Sequence, residues 1–277
     1  MDIGFTLDDV YLPDKKVYIG KVDSGFWEDI FIPDNEHYTE SVLGMDGAYY
    51  FGQVLKERKI PPIPCFFEKI DGNEKRDLQK FLYFKKPKKL SFDNKPYKYI
   101  WVVSYGLTNL NYVYDGYYYG GYFELNLVAY DPYFYSFFSS LDEYNYDNPD
   151  LYYDSGLLYA EEMPSVLLTN IIKNQSFQLY NAGNANSKTI VTISGTGNNI
   201  VLSNLNTGQS FKIVSLNNEL IKIDGIKGQI TDGTILKSSK HEGNFIELVE
   251  GFNNLTLSGD TGFNISSISF SYRHTYL

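Results

Sequence analysis

The sequence holds little that could carry covalent chemistry. In 277 residues there is one cysteine, Cys65, and there are three histidines, His37, His241 and His274, far apart. A single cysteine excludes an internal disulfide framework and a cysteine-based metal cage. Cys65 lies in the apolar run IPCFF, where a buried, inert thiol is expected rather than a nucleophile. His241-Glu242 begins like a zinc-protease motif, but Asn244 and Phe245 follow and no second histidine arrives in register. Positive charge is also short, with 24 Lys and Arg against 34 Asp and Glu and a net charge of -10. That balance argues against a nucleic-acid binder held by clustered phosphate contacts, although not against a surface past which DNA slides. No run reaches about 18 consecutive apolar residues, so no membrane-spanning helix is expected. The start, MDIGFTLDDVYLPDKK, has no basic flank before an apolar stretch, and no secretory signal is predicted. These absences fit a protein that folds in the cytoplasm, with its place of work left open.

What is abundant is aromatic: 26 Tyr and 19 Phe. The chain is long enough for one large domain or two ordinary ones, and its halves differ in texture. Residues 1–160 carry most of the tyrosine and tryptophan. Residues 165–277 are rich in Asn, Ser, Thr, Gly, Ile and Leu, in short runs broken by turn residues. Between them, 141–164 is acidic, lacks sustained periodicity and reads as a linker. The expected organisation is therefore a first domain (1–140), an acidic linker and a second domain (165–277).

One helix is expected, in DGNEKRDLQKFLYFKKP. Asp71 and Glu74 form a capping box, Leu78, Phe81 and Leu82 make a narrow apolar face, and Pro87 stops continuation. Strands dominate elsewhere. In GGYFELNLVAYDP, Phe123, Leu125, Leu127 and Ala129 alternate with Tyr122, Glu124, Asn126 and Val128, the pattern of a half-buried strand. YDGYYYGG supplies the turn before it, so 97–130 reads as a hairpin or meander. In the second half, TIVTISG, NIVLSN, SFKIVSL, ELIKIDG, NFIELVEG, LTLSG and SSISFSYR recur at the spacing of an antiparallel sandwich. The expected fold is mainly β. It has an N-terminal β-sandwich or split-barrel-like domain with one short helix and a C-terminal antiparallel β-sandwich.

Motifs that suggest chemistry read as structure. GTGNN at 195–199 lacks the Lys-Ser/Thr and helix of a phosphate loop and is expected to be a hairpin turn. Asp142, Glu143, Asp147 and Asp150 do not follow EF-hand order and read as a solvated linker. No carboxylate pair for glycoside hydrolysis stands out. No catalytic, cofactor-binding or metal-ligating residue is assigned.

The tyrosines remain. Tyr has high strand propensity and buries a ring while keeping its hydroxyl wet, so abundance alone means sheet surface. The same ring is cheap to order at a protein interface, and it also stacks on sugars. Tyr117, Tyr118, Tyr119, Tyr133, Phe134 and Tyr135 are the interface candidates. Core, interface and sugar platform are all open at this point.

The order of segments is more specific than any one of them. G-x-D-G at 44–47, the short helix before a Lys-Pro segment, F-D at 92–93 and D-P-Y-x-Y-S at 131–136 are followed by N-x-G-N at 181–184 and E-G-x-N-x-L at 250–255. This ordered set resembles the distal tail protein (Dit) family of tailed bacteriophages that infect Gram-positive bacteria. One departure is that FLYFKKP is shorter than the family's L-x-x-W-L stretch and lacks its Trp. The resemblance implies a non-enzymatic virion component, assembled in the host cytoplasm. It implies a hexameric ring between the tail tube protein and the tail-tip hub, with DNA as cargo through the lumen and no cofactor. It also implies an outer, galectin-like β-sandwich that serves as a docking point for a receptor-binding protein. A net-negative lumen would repel DNA phosphates. The alternatives are a carbohydrate-binding protein that uses the second domain on cell-wall glycans, and a glycan-cleaving enzyme.

Overall fold

The computed structural model describes residues 4–20, 32–142, 152–158 and 162–277. Two compact units divide the chain, Met1–Phe134 with Leu277, and Tyr135–Tyr276. The expected fold class is borne out: strands predominate, and a single α-helix occurs among the described residues.

The first unit contains β1 (Phe5–Leu7), β2 (Val10–Tyr11), β3 (Val17–Ile19), β4 (Asn35–Glu40), β5 (Tyr49–Leu55) and β6 (Arg58–Ile70). Helix α1 (Gly72–Leu82), β7 (Lys88–Phe92), β8 (Lys98–Tyr114) and β9 (Tyr119–Ala129) follow. Its main sheet runs β2-β1-β7-β8-β9-β6-β3, all antiparallel, while β4 and β5 pair with each other in a separate two-stranded sheet. The alternation read in β9 is real: Phe123, Leu125 and Leu127 enter a core shared with Ile63, Cys65 and Phe67 of β6 and with Leu78 and Leu82 of α1. That core explains Cys65. Burial pushes its thiol up to about 12, so the thiolate is suppressed at neutral pH.

Helix α1 begins as expected. Asp71 Oδ1 accepts from the N–H groups of Asn73 and Glu74 at 2.7 and 2.8 Å, and Glu74 Oε2 accepts from Asp71 N at 2.8 Å. Three N–H groups that a helix start leaves unpaired are thereby satisfied. At F-D, Asp93 Oδ2 accepts from Gly4 N and Tyr11 Oη, pinning the start of the unit to the β7–β8 turn.

The second unit takes in β10 (Phe134–Ser139) from Tyr135 onward, then β11 (Leu167–Ile171), β12 (Gln175–Asn181), β13 (Ser187–Lys188), β14 (Ile190–Asn204) and β15 (Gln209–Asp224). These are followed by β16 (Gln229–Thr231), β17 (His241–Gly243), β18 (Glu247–Leu248), β19 (Gly251–Ser258), β20 (Asn264–Ser271) and β21 (Arg273–Tyr276). Strands β14 and β15 each absorb two of the short runs expected from sequence. GTGNN is therefore not a hairpin turn. It lies inside β14, where Gly195 and Gly197 have φ near +150° and the register shifts. A Cβ on Gly195 would meet Asn264 O at 2.3 Å. The kink lets Ile190–Thr196 pair with β20 and Val201–Asn204 pair with β19. A glycine bulge is thus the point where one strand changes partner, as sandwich corners require. The enclosed core includes Leu179, Ile193, Phe211, Ile221, Leu255 and Phe270.

Within the stretch expected to be an acidic linker, Glu143, Asp147 and Asp150 lie outside the described residues. Asp142 accepts from Ser139 N through Oδ2 at 2.6 Å, an ordinary turn contact. Residues 152–158 belong to the second unit and are hydrogen-bonded within it, Tyr276 Oη donating to Ser155 O and Tyr180 Oη to Gly156 O.

Candidate interaction surface

Two ribbons of the first unit reach beyond its core. Strands β8 and β9 pair continuously from Val103↔Val128 to Tyr114↔Tyr119, with two register shifts. Near Val128 this ladder is buried. Beyond Ser104, successive described side chains of β8 are exposed, while Phe123, Leu125 and Leu127 of β9 stay buried and the tip beyond them is open. Tyr105 is 81% exposed and Tyr117 82%, with Tyr112, Val113, Tyr114, Tyr118 and Tyr122 also exposed.

Local chemistry fixes the ribbon's tip. Asp115 Oδ1 accepts from the N–H groups of Tyr118 (2.7 Å) and Tyr117 (2.9 Å), which holds its carboxyl below the usual carboxylate range. Gly116 takes φ of 98°, which an L side chain resists. The later glycines belong to the strand rather than the turn. A Cβ on Gly121 would meet Asn111 O at 2.1 Å, so this glycine lets the two strands approach. Tyr119 stacks on Tyr114 at 4.7 Å, and the Lys75 ammonium of α1 sits 4.0 Å from the Tyr112 ring and 4.1 Å from Tyr119.

The second ribbon is β4–β5, paired from Asn35↔Leu55 to Glu40↔Tyr49. It exposes Tyr38, Tyr49, Tyr50, Phe51 and Val54, and its loop exposes Val42, Leu43 and Met45. The G-x-D-G glycines, Gly44 and Gly47, both have φ near +87° in that loop. A two-stranded ribbon without a core is marginal in water. Exposed apolar side chains on a strand pair are the usual mark of a surface completed by another chain.

The six expected interface residues separate into two groups. Tyr117 and Tyr118 are exposed at the β8–β9 tip, and Tyr119 is half-buried beneath Lys75. Tyr133, Phe134 and Tyr135 are half-buried, with the Arg58 guanidinium 5.0 Å from the Phe134 ring. Arg58, itself buried, donates from Nε to Pro132 O at 3.0 Å, which anchors the Asp131-Pro132 step. Sequence reasoning passed over Tyr38, Tyr49, Tyr50, Phe51, Tyr105 and Tyr112. Period-2 alternation marks strands with one buried face, and the stretches that carry these residues have none.

The residues with catalytic potential are used in packing. His241 stacks on Phe211 at 5.1 Å and 15°, while Glu242 pairs with Lys212 at 2.8 Å. His274 is buried and accepts from Ala182 N through Nδ1 at 3.0 Å. Among the described residues no group of three or more His, Cys, Asp or Glu side chains is placed to hold a metal. In the sandwich, Phe252 is exposed with Tyr180 tilted against it at 4.9 Å. The second-half motifs hold turns: Asn181 Oδ1 accepts from Gly183 N at 3.1 Å, and Gly251 has φ of 80°.

Residues 14–129 match the family model described as the phage tail protein RIFT-related domain. The full chain superposes on the whole of SPP1 Dit (gp 19.1), whose structure is described as a paradigm of the hub adsorption apparatus in phages infecting Gram-positive bacteria. The TM-score is 0.64 at 13% identity, with 100% of each chain covered. No curated protein matches the sequence. The resemblance read from the ordered motifs is borne out by both findings.

Proposed function

We propose that this chain is a distal tail protein, a structural component of a phage tail tip that joins copies of itself into a ring. The observation that carries this reading is the run of exposed aromatic side chains on the two ribbons of the unit that matches the tail-protein domain. A cyclic ring repeats one heterologous contact until it closes, so each copy must present surface that stays open in the monomer. Tyrosine suits that surface because its hydroxyl keeps the isolated subunit wet and its ring desolvates cheaply on contact.

In this reading residues 1–140 form a hexameric ring between the tail tube protein and the tip hub. Residues 165–277 form the outer sandwich, available to a receptor-binding protein, and DNA passes through the lumen without binding. Virion location, with assembly in the host cytoplasm, follows from the same role. We assign no catalytic role. The carbohydrate reading draws less support, because the exposed tyrosines concentrate in the first unit rather than on the sandwich.

Replacing Tyr105 and Tyr117 together by Asp tests the assignment. Both side chains are largely exposed, so the variant is expected to keep the wild-type circular dichroism spectrum and melting temperature. Ring formation measured by light scattering should weaken at least tenfold. An unchanged ring population would remove the β8–β9 ribbon from the interface.

A further inference from the structure

The far end of the β8–β9 ribbon is short of the contacts that usually hold two strands together. Its ladder is interrupted between Thr108 and Asn111, so the pairs from Asn111↔Tyr122 to Tyr114↔Tyr119 stand as a separate short piece. Opposite Val113 and Tyr112 lie Gly120 and Gly121, which offer no side chain across the strands. Strand β6 runs beside β9 as far as Ile70↔Tyr119, which holds β9 and leaves β8 to other contacts. A strand pair this short gains independent stability by packing on a further element such as a helix.

Helix α1 supplies that contact through one side chain. It starts where the β6–β9 ladder ends: Asp71 caps it, and Lys75 N donates to Asp71 O at 2.9 Å. Lys75 lies on the stripe of α1 that carries the buried Leu78 and Leu82, and is itself half-buried. Its Nζ sits 4.0 Å from the Tyr112 ring and 4.1 Å from Tyr119. Those two rings meet edge-on at 5.8 Å, and Tyr114 stacks on Tyr119. Lys75 forms no ion pair among the described residues, so the rings are its partners. The bare backbone of Gly121 leaves the Tyr112 ring free to lie across the diagonal to Tyr119.

We infer that Lys75 is a positioning residue for assembly: its ammonium, seated on Tyr112 and Tyr119, holds the end of the ribbon in the conformation that a neighbouring copy binds. This rests on the ring reading and deepens it by naming what prepares the contact surface. A surface ordered before contact avoids the entropy cost of ordering it on contact. The base of the brace is firm. Glu74 Oε1 accepts from Lys16 Nζ at 2.7 Å, and the same ammonium donates to Lys69 O at 3.3 Å, which ties the first turn of α1 to β6. The capping box fixes the same turn. Lys75 thus joins a fixed helix start to a weakly paired strand end.

The test uses the full-length chain with two variants of matched helix propensity. Lys75→Met keeps an apolar stem and removes the charge, and Lys75→Arg restores a cation. In dilute protein, hydrogen exchange at the amides of residues 111–114 and 119–122 is expected to quicken about fivefold in the Met variant, the size of one cation–π contact. Exchange elsewhere in the first unit and the melting temperature should stay at wild-type values. Ring formation measured by light scattering should weaken about threefold or more in the Met variant, and the Arg variant should follow wild type in both assays. A Met variant that exchanges and assembles like wild type, or an Arg variant that fails like Met, would overturn the inference and leave the ring reading standing. Faster exchange with rings unaffected would confine Lys75 to local packing and overturn its part in assembly. Exchange quickened across the whole unit, with a lowered melting temperature, would overturn it as well. Wild-type protein that stays monomeric at every concentration would overturn the ring reading and the assembly role together.

Discussion

Replacing Asn253 by Ala is expected to destabilise the second unit by about 4 kcal/mol, as large an effect as a single polar deletion produces. The side chain has no solvent exposure, and its hydrogen-bonding capacity is filled. Oδ1 accepts from Val249 N at 2.9 Å and from Asn204 Nδ2 at 3.0 Å, while Nδ2 donates to the carbonyls of Val249 (2.8 Å) and Gly251 (3.0 Å). Alanine takes one buried bond from Asn204 Nδ2 and leaves the half-buried Val249 and Gly251 groups without this partner, each loss costing about 1–3 kcal/mol before any relaxation. The loss also propagates. Asn204 Nδ2 donates to Glu247 O as well, so one amide ties β14 to both the β18 segment and β19. The check is denaturant unfolding combined with hydrogen exchange of the amides in β14 and β19. Gln178→Ala, which removes an exposed bond to Asn254, should cost well under about 1 kcal/mol in the same assay.

Acidification should weaken the same unit through His274. The imidazole is 1% exposed, Tyr272 meets it edge-on at 5.6 Å, and its Nδ1 accepts from Ala182 N, so the folded unit holds the ring neutral. Burial lowers its pKa from 6.5 to about 4. The unfolded chain therefore binds a proton near pH 6.5 that the folded chain refuses until about pH 4. The stabilisation is complete above pH 6.5 and is lost as pH falls towards 4. Across that interval the loss is about 3 kcal/mol, from the free-energy equivalent of one pKa unit. Glu219 and Asp232 have carboxyls held below their usual range, chiefly by hydrogen bonds from Lys240 and Lys237. Their contributions fade only at lower pH, so the window from about 5 to 6.5 isolates the histidine. His274→Gln keeps an acceptor near Ala182 N and should flatten the pH dependence of unfolding in that window. An equally steep dependence in the variant would place the titration elsewhere.

What could be read from sequence was local. The Asp71–Glu74 capping box lies within four residues, and its hydrogen bonds formed as the spacing required. The inward set Phe123, Leu125 and Leu127 was visible because one face of β9 is buried and the other is not. Cys65 was legible as core from its apolar neighbours.

What escaped depended on distant chain. Gly195 and Gly197 look like a turn because glycine at positive φ usually makes one. The feature that demands glycine is the backbone of Asn264 and the side chain of Phe263, more than 60 residues away. The asparagines of the second half read as turn residues by composition. Asn181, Asn204 and Asn253 are instead wholly buried and bridge segments 40 to 70 residues apart. Histidine in S-Y-R-H-T-Y gives no sign of its burial, because that is set by Ala182 and Tyr180 on another strand. The tyrosine surface was only half legible. A ring has the same strand propensity in a core and on a free ribbon, so Tyr117 and Tyr118 were found through their clustering while Tyr105 and Tyr50 were not.

The central claim is that the open aromatic ribbons of the first unit are completed by further copies of the chain. It is tested most directly by the mass of the purified wild-type protein in solution, measured by light scattering up to high concentration with negative-stain images of the same samples. The account predicts a closed ring whose mass is an integral multiple of 31.8 kDa, six on the proposed stoichiometry. A protein that remains at 31.8 kDa at every concentration, with no rings in the images, would contradict it.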